Sequence, residues 1–193
     1  MIARVLAHTA SASVWAMGRR WSCWNWSNSA TFGATRFFKR RVGRLETRTW
    51  RAIVAYDGTD YRGFQVQAEG PTIQGELERA LERLTGAPVR VQGAGRTDAG
   101  VHAMGQVISF AAPWRHSPDD LCRALNATLP RDIAVRRVDA AEATFHARYS
   151  AQSRLYVYHV YASQKRLPLL DRYAHHVAAP LPLEELNRAA ALF

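Results

Sequence analysis

The chain has 193 residues, 48% of them hydrophobic and 22% charged, with a formal net charge of +10. That balance excludes a low-hydrophobicity disordered polymer, and no run of about eighteen apolar residues is present to span a membrane. The basic excess attracts anionic polymers, nucleic acid first, but residues 1–45 carry eight Arg or Lys and no acid, leaving the other residues only +2.

In chain order, residues 1–47 read as a basic, disordered extension. Trp15, Trp21, Trp24 and Trp26 cluster there with five serines and the run Lys39-Arg40-Arg41, without an apolar period. An Arg- and Ser-rich, acid-free segment also fits an organellar transit peptide or a basic RNA-binding arm. From Thr49 a strand is expected through Tyr56, ended by the turn pair Asp57-Gly58. Ile73, Leu77, Leu81 and Leu84 then trace a helix face, with Thr72 as N-cap and Gly86 at the C-terminal end. Val89–Val91 reads as a short strand, and Gln106–Phe110 as another after a glycine-rich stretch. Ser117-Pro118 opens a second helix with Leu121, Leu125 and Leu129 on one face. Ile133–Val138 is a further strand.

The order over residues 49–139 is β-α-β-β-α-β. It predicts an α+β fold, a ferredoxin-like half with two helices on one face of an antiparallel sheet. Fold alone assigns no function, and the usual aromatic RNA-stacking signature is missing from these strands. A second α+β half then begins. Arg154–Ala162 reads as a strand with Tyr156 and Tyr158 on one face, and Pro182 starts a helix carrying Leu183, Leu186, Ala190 and Phe193. One strand and one helix close no core, so the chain is expected to be cut within this half. The expected divisions are an extension over 1–47, a ferredoxin-like domain with the glycine loop over 48–143, and an incomplete second domain over 144–193.

The stretch "GAGRTDAGVHAMGQVISF", residues 93–110, holds one acid, Asp98, among four glycines. It fails as a dinucleotide fingerprint because Asp98 stands where the last glycine belongs, and it lacks the G-K-[ST] of a phosphate loop. A carboxylate held by loop backbone can act as nucleophile or general base. An aspartate that caps the N–H groups of its own turn fits the residues at least as well. The two cysteines, Cys23 and Cys122, match neither a metal spacing nor a disulfide framework, as in a reducing compartment. His102, His146, His159, His175 and His176 lack a companion carboxylate or cysteine in ligand spacing, so no metal site is expected.

Several motifs together resemble the tRNA pseudouridine synthase A family. "AGRTDAGVHAMGQV" (94–107) carries the likeness most strongly. "YDGTDYRGFQVQ" (56–67), "TIQGELERAL" (72–81) and "FHARYSAQSRLYVYHVY" (145–161) accompany it in the family's order. The resemblance implies an incomplete pseudouridine synthase fold and an isomerase that converts uridine to pseudouridine in the anticodon stem-loop of tRNA, without metal or organic cofactor. It implies Asp98 as nucleophile, Tyr156 as the residue stacking on the uracil, and Arg96 as a contact to the flipped-out nucleotide. A cytoplasmic homodimer cradling tRNA is the implied setting. The family also pairs an arginine with the nucleophile, and no segment of this chain matches it. A shortened, inactive RNA-binding remnant is therefore the alternative.

Overall fold

The structure, a computed structural model, describes residues 46–180 and 182–190. Almost all of the basic extension lies outside the described residues, as does Phe193 of the predicted last helix face.

Alternation builds the main sheet. In β1 (Thr47–Tyr56), Trp50, Ala52, Val54 and Tyr56 are buried in turn. In β3 (Ala103–Pro113), Ile108, Phe110 and Ala112 do the same. With β2 (Val91–Gly93) and β4 (Ile133–Ala140), they form a four-stranded sheet ordered β2-β3-β1-β4, every neighbour antiparallel. β1 is thus central, with Trp50 facing Phe110 on one side and Ala140 on the other.

Both helices start and stop where their capping chemistry dictates. α1 (Ile73–Thr85) begins after Thr72, whose Oγ1 accepts from the Gly75 N–H at 3.3 Å. It ends at Gly86, which adopts φ 72° and donates its N–H to the Glu82 carbonyl. That left-handed conformation is available to glycine at little steric cost. α2 (Pro118–Thr128) opens with a capping box. Ser117 Oγ accepts from the Asp120 N–H, and the Asp120 carboxylate accepts from the Ser117 N–H. Ile73, Leu77, Ala80 and Leu81 of α1 and Leu121 and Leu125 of α2 join the inward strand residues in one core. The order of these six elements is β-α-β-β-α-β, and the class is α+β.

The other sheet face is covered differently. Ser109 alternates with Ile108 and Phe110, so it points away from the helices. It is buried, and its Oγ accepts from the N–H of Ala147, itself 2% exposed. The chain after β4 therefore crosses this face. Beyond it lie β5 (Val160–Ala162), α3 (Pro168–Asp171), β6 (His175–Val177) and α4 (Leu183–Ala190), with β5 and β6 paired in parallel.

Four expectations need correction. The first strand begins at Thr47 rather than Thr49, inside the segment expected as extension, because Thr47 and Arg48 already pair with Pro113 and Ala112 of β3. The short strand sits at Val91–Gly93 rather than Val89–Val91. Pro88 has no N–H to offer, and the Val91 N–H donates not to a strand but to Glu78 Oε1 of α1, which fixes where pairing begins. β3 runs well past Gln106–Phe110 at both ends because β1 pairs with it as far as Ala103 and Pro113. The strand predicted over Arg154–Ala162 is reduced to Val160–Ala162, with Tyr156 in an isolated bridge. Leu155, Val157 and Tyr158 are exposed, and alternation alone makes no strand without a continuous neighbour to satisfy its N–H and C=O groups.

Asp57 fastens the later segment to the first sheet. Its Oδ1 accepts from the Thr59 N–H and hydroxyl, and its Oδ2 accepts from the Tyr173 hydroxyl at 2.8 Å and faces Arg172 Nε at 3.3 Å. Partial burial works to raise the Asp57 pKa, but these donors and the Arg172 guanidinium outweigh it and hold the carboxyl well below the usual range. Among the described residues, no helix is long and apolar enough to cross a membrane.

Candidate active site

The glycine loop connects β2 to β3, and neighbours on three sides pin it. Ala94 donates its N–H to the Val107 carbonyl at 2.8 Å. Gln106 grips Gly95 twice, accepting from its N–H at 3.3 Å and donating to its carbonyl at 2.8 Å. Further along, the Thr97 carbonyl accepts from the Phe64 N–H at 2.9 Å, and the Thr97 and Tyr56 hydroxyls lie 2.8 Å apart. Burial pushes the Tyr56 phenol up, with the Thr97 and Gln106 hydrogen bonds working against it.

The segment around Phe64 can approach this closely because residue 63 is glycine. Gly63 has φ +87°, and a Cβ there would lie 2.7 Å from the Thr97 carbonyl oxygen. Any side chain would be strained by the backbone angle and would push the loop away.

This pinning turns Asp98 outward. The turn is closed by main chain, the Val101 N–H donating to the Asp98 carbonyl at 3.2 Å. The Asp98 carboxylate itself neither caps an N–H nor forms an ion pair with any described residue. The capping role that the residues alone allowed is therefore not the one this aspartate has. Arg96 also lies beyond ion-pairing distance of Asp98, although both line one open cavity of about 650 Å³ with Arg62.

An adjoining cavity of about 560 Å³ is lined by Tyr156, Arg90, Arg96, Arg148 and Arg154, and no Asp or Glu is among its walls. Arg96, Gln65 and Val66 border both spaces. The three residues singled out from sequence thus fall around two neighbouring cavities, with Arg96 between Asp98 and Tyr156. Asp98 and Tyr156 do not line the same one. A half-buried phenol ring and several guanidinium groups suit an anionic ligand that carries a planar ring, and the outward Asp98 carboxylate stands in the neighbouring cavity as a candidate reactive group.

Residues that the sequence reading passed over also shape this region. Arg154 donates from both Nε and Nη2 to the Ala94 carbonyl, at 3.0 and 2.6 Å. Its place two positions before Tyr156 was the available signal, since i and i+2 share a side in extended chain. Nothing local marked Gln106 as the grip on Gly95. Two of the described histidines serve packing and hydrogen bonding. His102 stacks edge-on against Tyr173, with Nδ1 3.2 Å from the Gly58 N–H. His176 lies on the Tyr161 ring and donates from Nε2 to the Ser163 carbonyl.

Comparison with known proteins gives a consistent result. Residues 52–150 match the family described as tRNA pseudouridine synthase. The tRNA pseudouridine synthase A of Geobacillus sp. (strain WCH70) is 46% identical over 143 residues, covering 74% of this chain and 58% of that protein. Its counterpart from Moorella thermoacetica is 46% identical over 143 residues, covering 73% and 58%. That from Dictyoglomus thermophilum is 42% identical over 146 residues, covering 75% and 60%. The chain spans about three fifths of the length of these curated relatives.

Proposed function

Because this chain belongs to the tRNA pseudouridine synthase family, we propose that it acts on tRNA, isomerising uridine to pseudouridine in the anticodon stem-loop. The observation that carries this reading is the outward Asp98 carboxylate, free of hydrogen bonds within the described protein, in a cavity that adjoins the Tyr156 and arginine-lined one through Arg96. The alternation of elements and the sheet order support taking residues 48–143, with Thr47 of β1, as a ferredoxin-like domain that carries the catalytic loop, and the later elements β5, α3, β6 and α4 as belonging to a second domain. The basic extension then ends before β1 begins at Thr47. A cytoplasmic homodimer belongs to the same proposal and rests on the resemblance.

The chemistry assigns each residue a task. The C1′–N1 bond breaks, a C1′–C5 bond forms, the C5 proton leaves to solvent and N1 takes one up, so the reaction is redox-neutral. A base stacked in a helix hides these atoms and must be extruded. Tyr156 offers the extruded uracil a stacking surface, worth about 1–3 kcal/mol. Arg96, between the two cavities, holds the displaced nucleotide through its guanidinium. Asp98 is the nucleophile, forming a transient bond to the nucleotide that breaks again as the product is completed and the carboxylate is regenerated, and the pinned loop keeps that carboxylate aimed without recruiting it into the turn.

The test is to incubate the protein with an unmodified anticodon stem-loop transcript, digest the RNA to nucleosides and quantify pseudouridine by mass spectrometry. Pseudouridine should form with the wild-type chain and vanish with Asp98→Ala, while circular dichroism stays unchanged. Full turnover by Asp98→Ala would remove it from the catalytic role. RNA binding without any product from the wild-type chain would favour an RNA-binding remnant instead.

A further inference from the structure

The proposed reaction requires Asp98 and Tyr156 to meet one nucleotide, yet they lie on segments far apart in sequence and on different cavities. Something must set their separation. Gln106 and Val107 of β3 hold Ala94 and Gly95, but they belong to the same sheet as the loop and say nothing about Tyr156. Arg154 does reach across. Its Nε and Nη2 converge on the Ala94 carbonyl at 3.0 and 2.6 Å, over a sequence separation of 60 residues. The packing at Gly95 is equally close: a Cβ on this glycine would sit 3.2 Å from Arg154 Nε and 4.0 Å from the Tyr156 hydroxyl. The guanidinium thus occupies the seam between the glycine loop and the Tyr156 segment.

We infer that Arg154 is a positioning residue, a two-pronged clamp on the Ala94 carbonyl that fixes the glycine loop against the Tyr156 segment and so sets Asp98 relative to the stacking ring. A charged donor gives a stronger bond than a neutral one, and two N–H groups of one rigid planar guanidinium converging on a single oxygen restrict its orientation. Its consequence for turnover rests on the function proposed above, since a misplacement of about 1 Å can cost on the order of 100-fold in rate. The clamp itself does not depend on that reading.

Two measurements separate these claims. In the RNA-free protein, Arg154→Ala should speed hydrogen exchange at the Ala94 and Gly95 amides by about tenfold while α2 is unaffected, because only the local opening changes. Arg154→Lys, which retains one cationic donor, should restore part of the protection. Unchanged exchange in Arg154→Ala would overturn the clamp, whether or not the chain turns over RNA. With the stem-loop substrate, Arg154→Ala should lower kcat about tenfold or more and shift KM by less than about threefold. In a Tyr156→Leu background the same change should cost less than about threefold, because the residue acts through the ring. A raised KM with steeper loss in salt and intact kcat would make Arg154 an RNA phosphate contact, and full additivity with Tyr156→Leu would make it merely structural; either overturns the positioning role. Absence of turnover in the wild-type chain would defeat the proposed function alone, leaving the exchange result to decide the clamp.

Discussion

Replacing Gly63 by alanine tests whether the Phe64 segment and the glycine loop are held together as tightly as their geometry indicates. The strain has two parts. A non-glycine residue at φ +87° pays about 1–2 kcal/mol for the left-handed backbone, offset by about 0.4–1 kcal/mol from the less flexible unfolded chain. The new Cβ would also stand 2.7 Å from the Thr97 carbonyl oxygen, a main-chain atom that cannot rotate away. Relieving that contact shifts backbone at about 1–3 kcal/mol. Gly86→Ala supplies the control, since Gly86 has φ +72° and nothing within 4 Å of the added carbon. Urea unfolding followed by far-ultraviolet circular dichroism should therefore show a loss of about 1 kcal/mol for Gly86→Ala and about 2–4 kcal/mol for Gly63→Ala. Equal losses would refute the reasoning, because backbone strain alone would then account for both.

Other substitutions probe separate parts of the structure. Leu81→Ala, at a fully buried core position, should destabilise by about 2–5 kcal/mol in the same urea assay. Ser117→Ala should remove the half of the α2 capping box in which Ser117 Oγ accepts from the Asp120 N–H, leave the Ser117 N–H to the Asp120 carboxylate, and lower stability by about 1 kcal/mol. Asp57, Asp120, Asp139 and Asp171 all have lowered pKa values in the folded protein. Their contributions are complete above the unfolded carboxylate pKa near pH 4 and fade as the pH falls below it, so unfolding scans should show an acid limb that Asp57→Asn makes shallower. The same Asp57→Asn change should speed limited proteolysis within residues 163–177 by loosening Tyr173 and Arg172. Tyr156→Leu should preserve the fold and depress turnover of the stem-loop, with unchanged kinetics removing it from the site.

Local signals located what local chemistry controls. Thr72 and Gly86 bounded α1, and Ser117-Pro118 opened α2, because caps act within a turn of the chain. Strand limits were less legible, since pairing decides them: β3 extends as far as β1 accompanies it, and Val91 is set by Glu78 of α1. The alternating segment at Arg154–Ala162 had strand composition but no continuous partner, and composition cannot supply one. At the candidate site, Asp98 and Arg96 stood out through a short, distinctive loop. The grips of Gln106 and Arg154 on that loop did not, because each side chain is chosen by a carbonyl or N–H distant in sequence.

The central place of β1 has a consequence for synthesis. Trp50 of β1 bonds to the Ala112 carbonyl and Arg51 to Asp139, at sequence separations of 62 and 88 residues. At about 5–20 residues per second, β1 leaves the ribosome roughly 4–18 s before its last partner exists. During that interval the apolar face of Trp50, Ala52, Val54 and Tyr56 has no core to enter, and high contact order slows its eventual closure. The nascent chain thus passes through a period in which β1 depends on transient cover, from chaperones or from the helix of residues 73–85 that follows it.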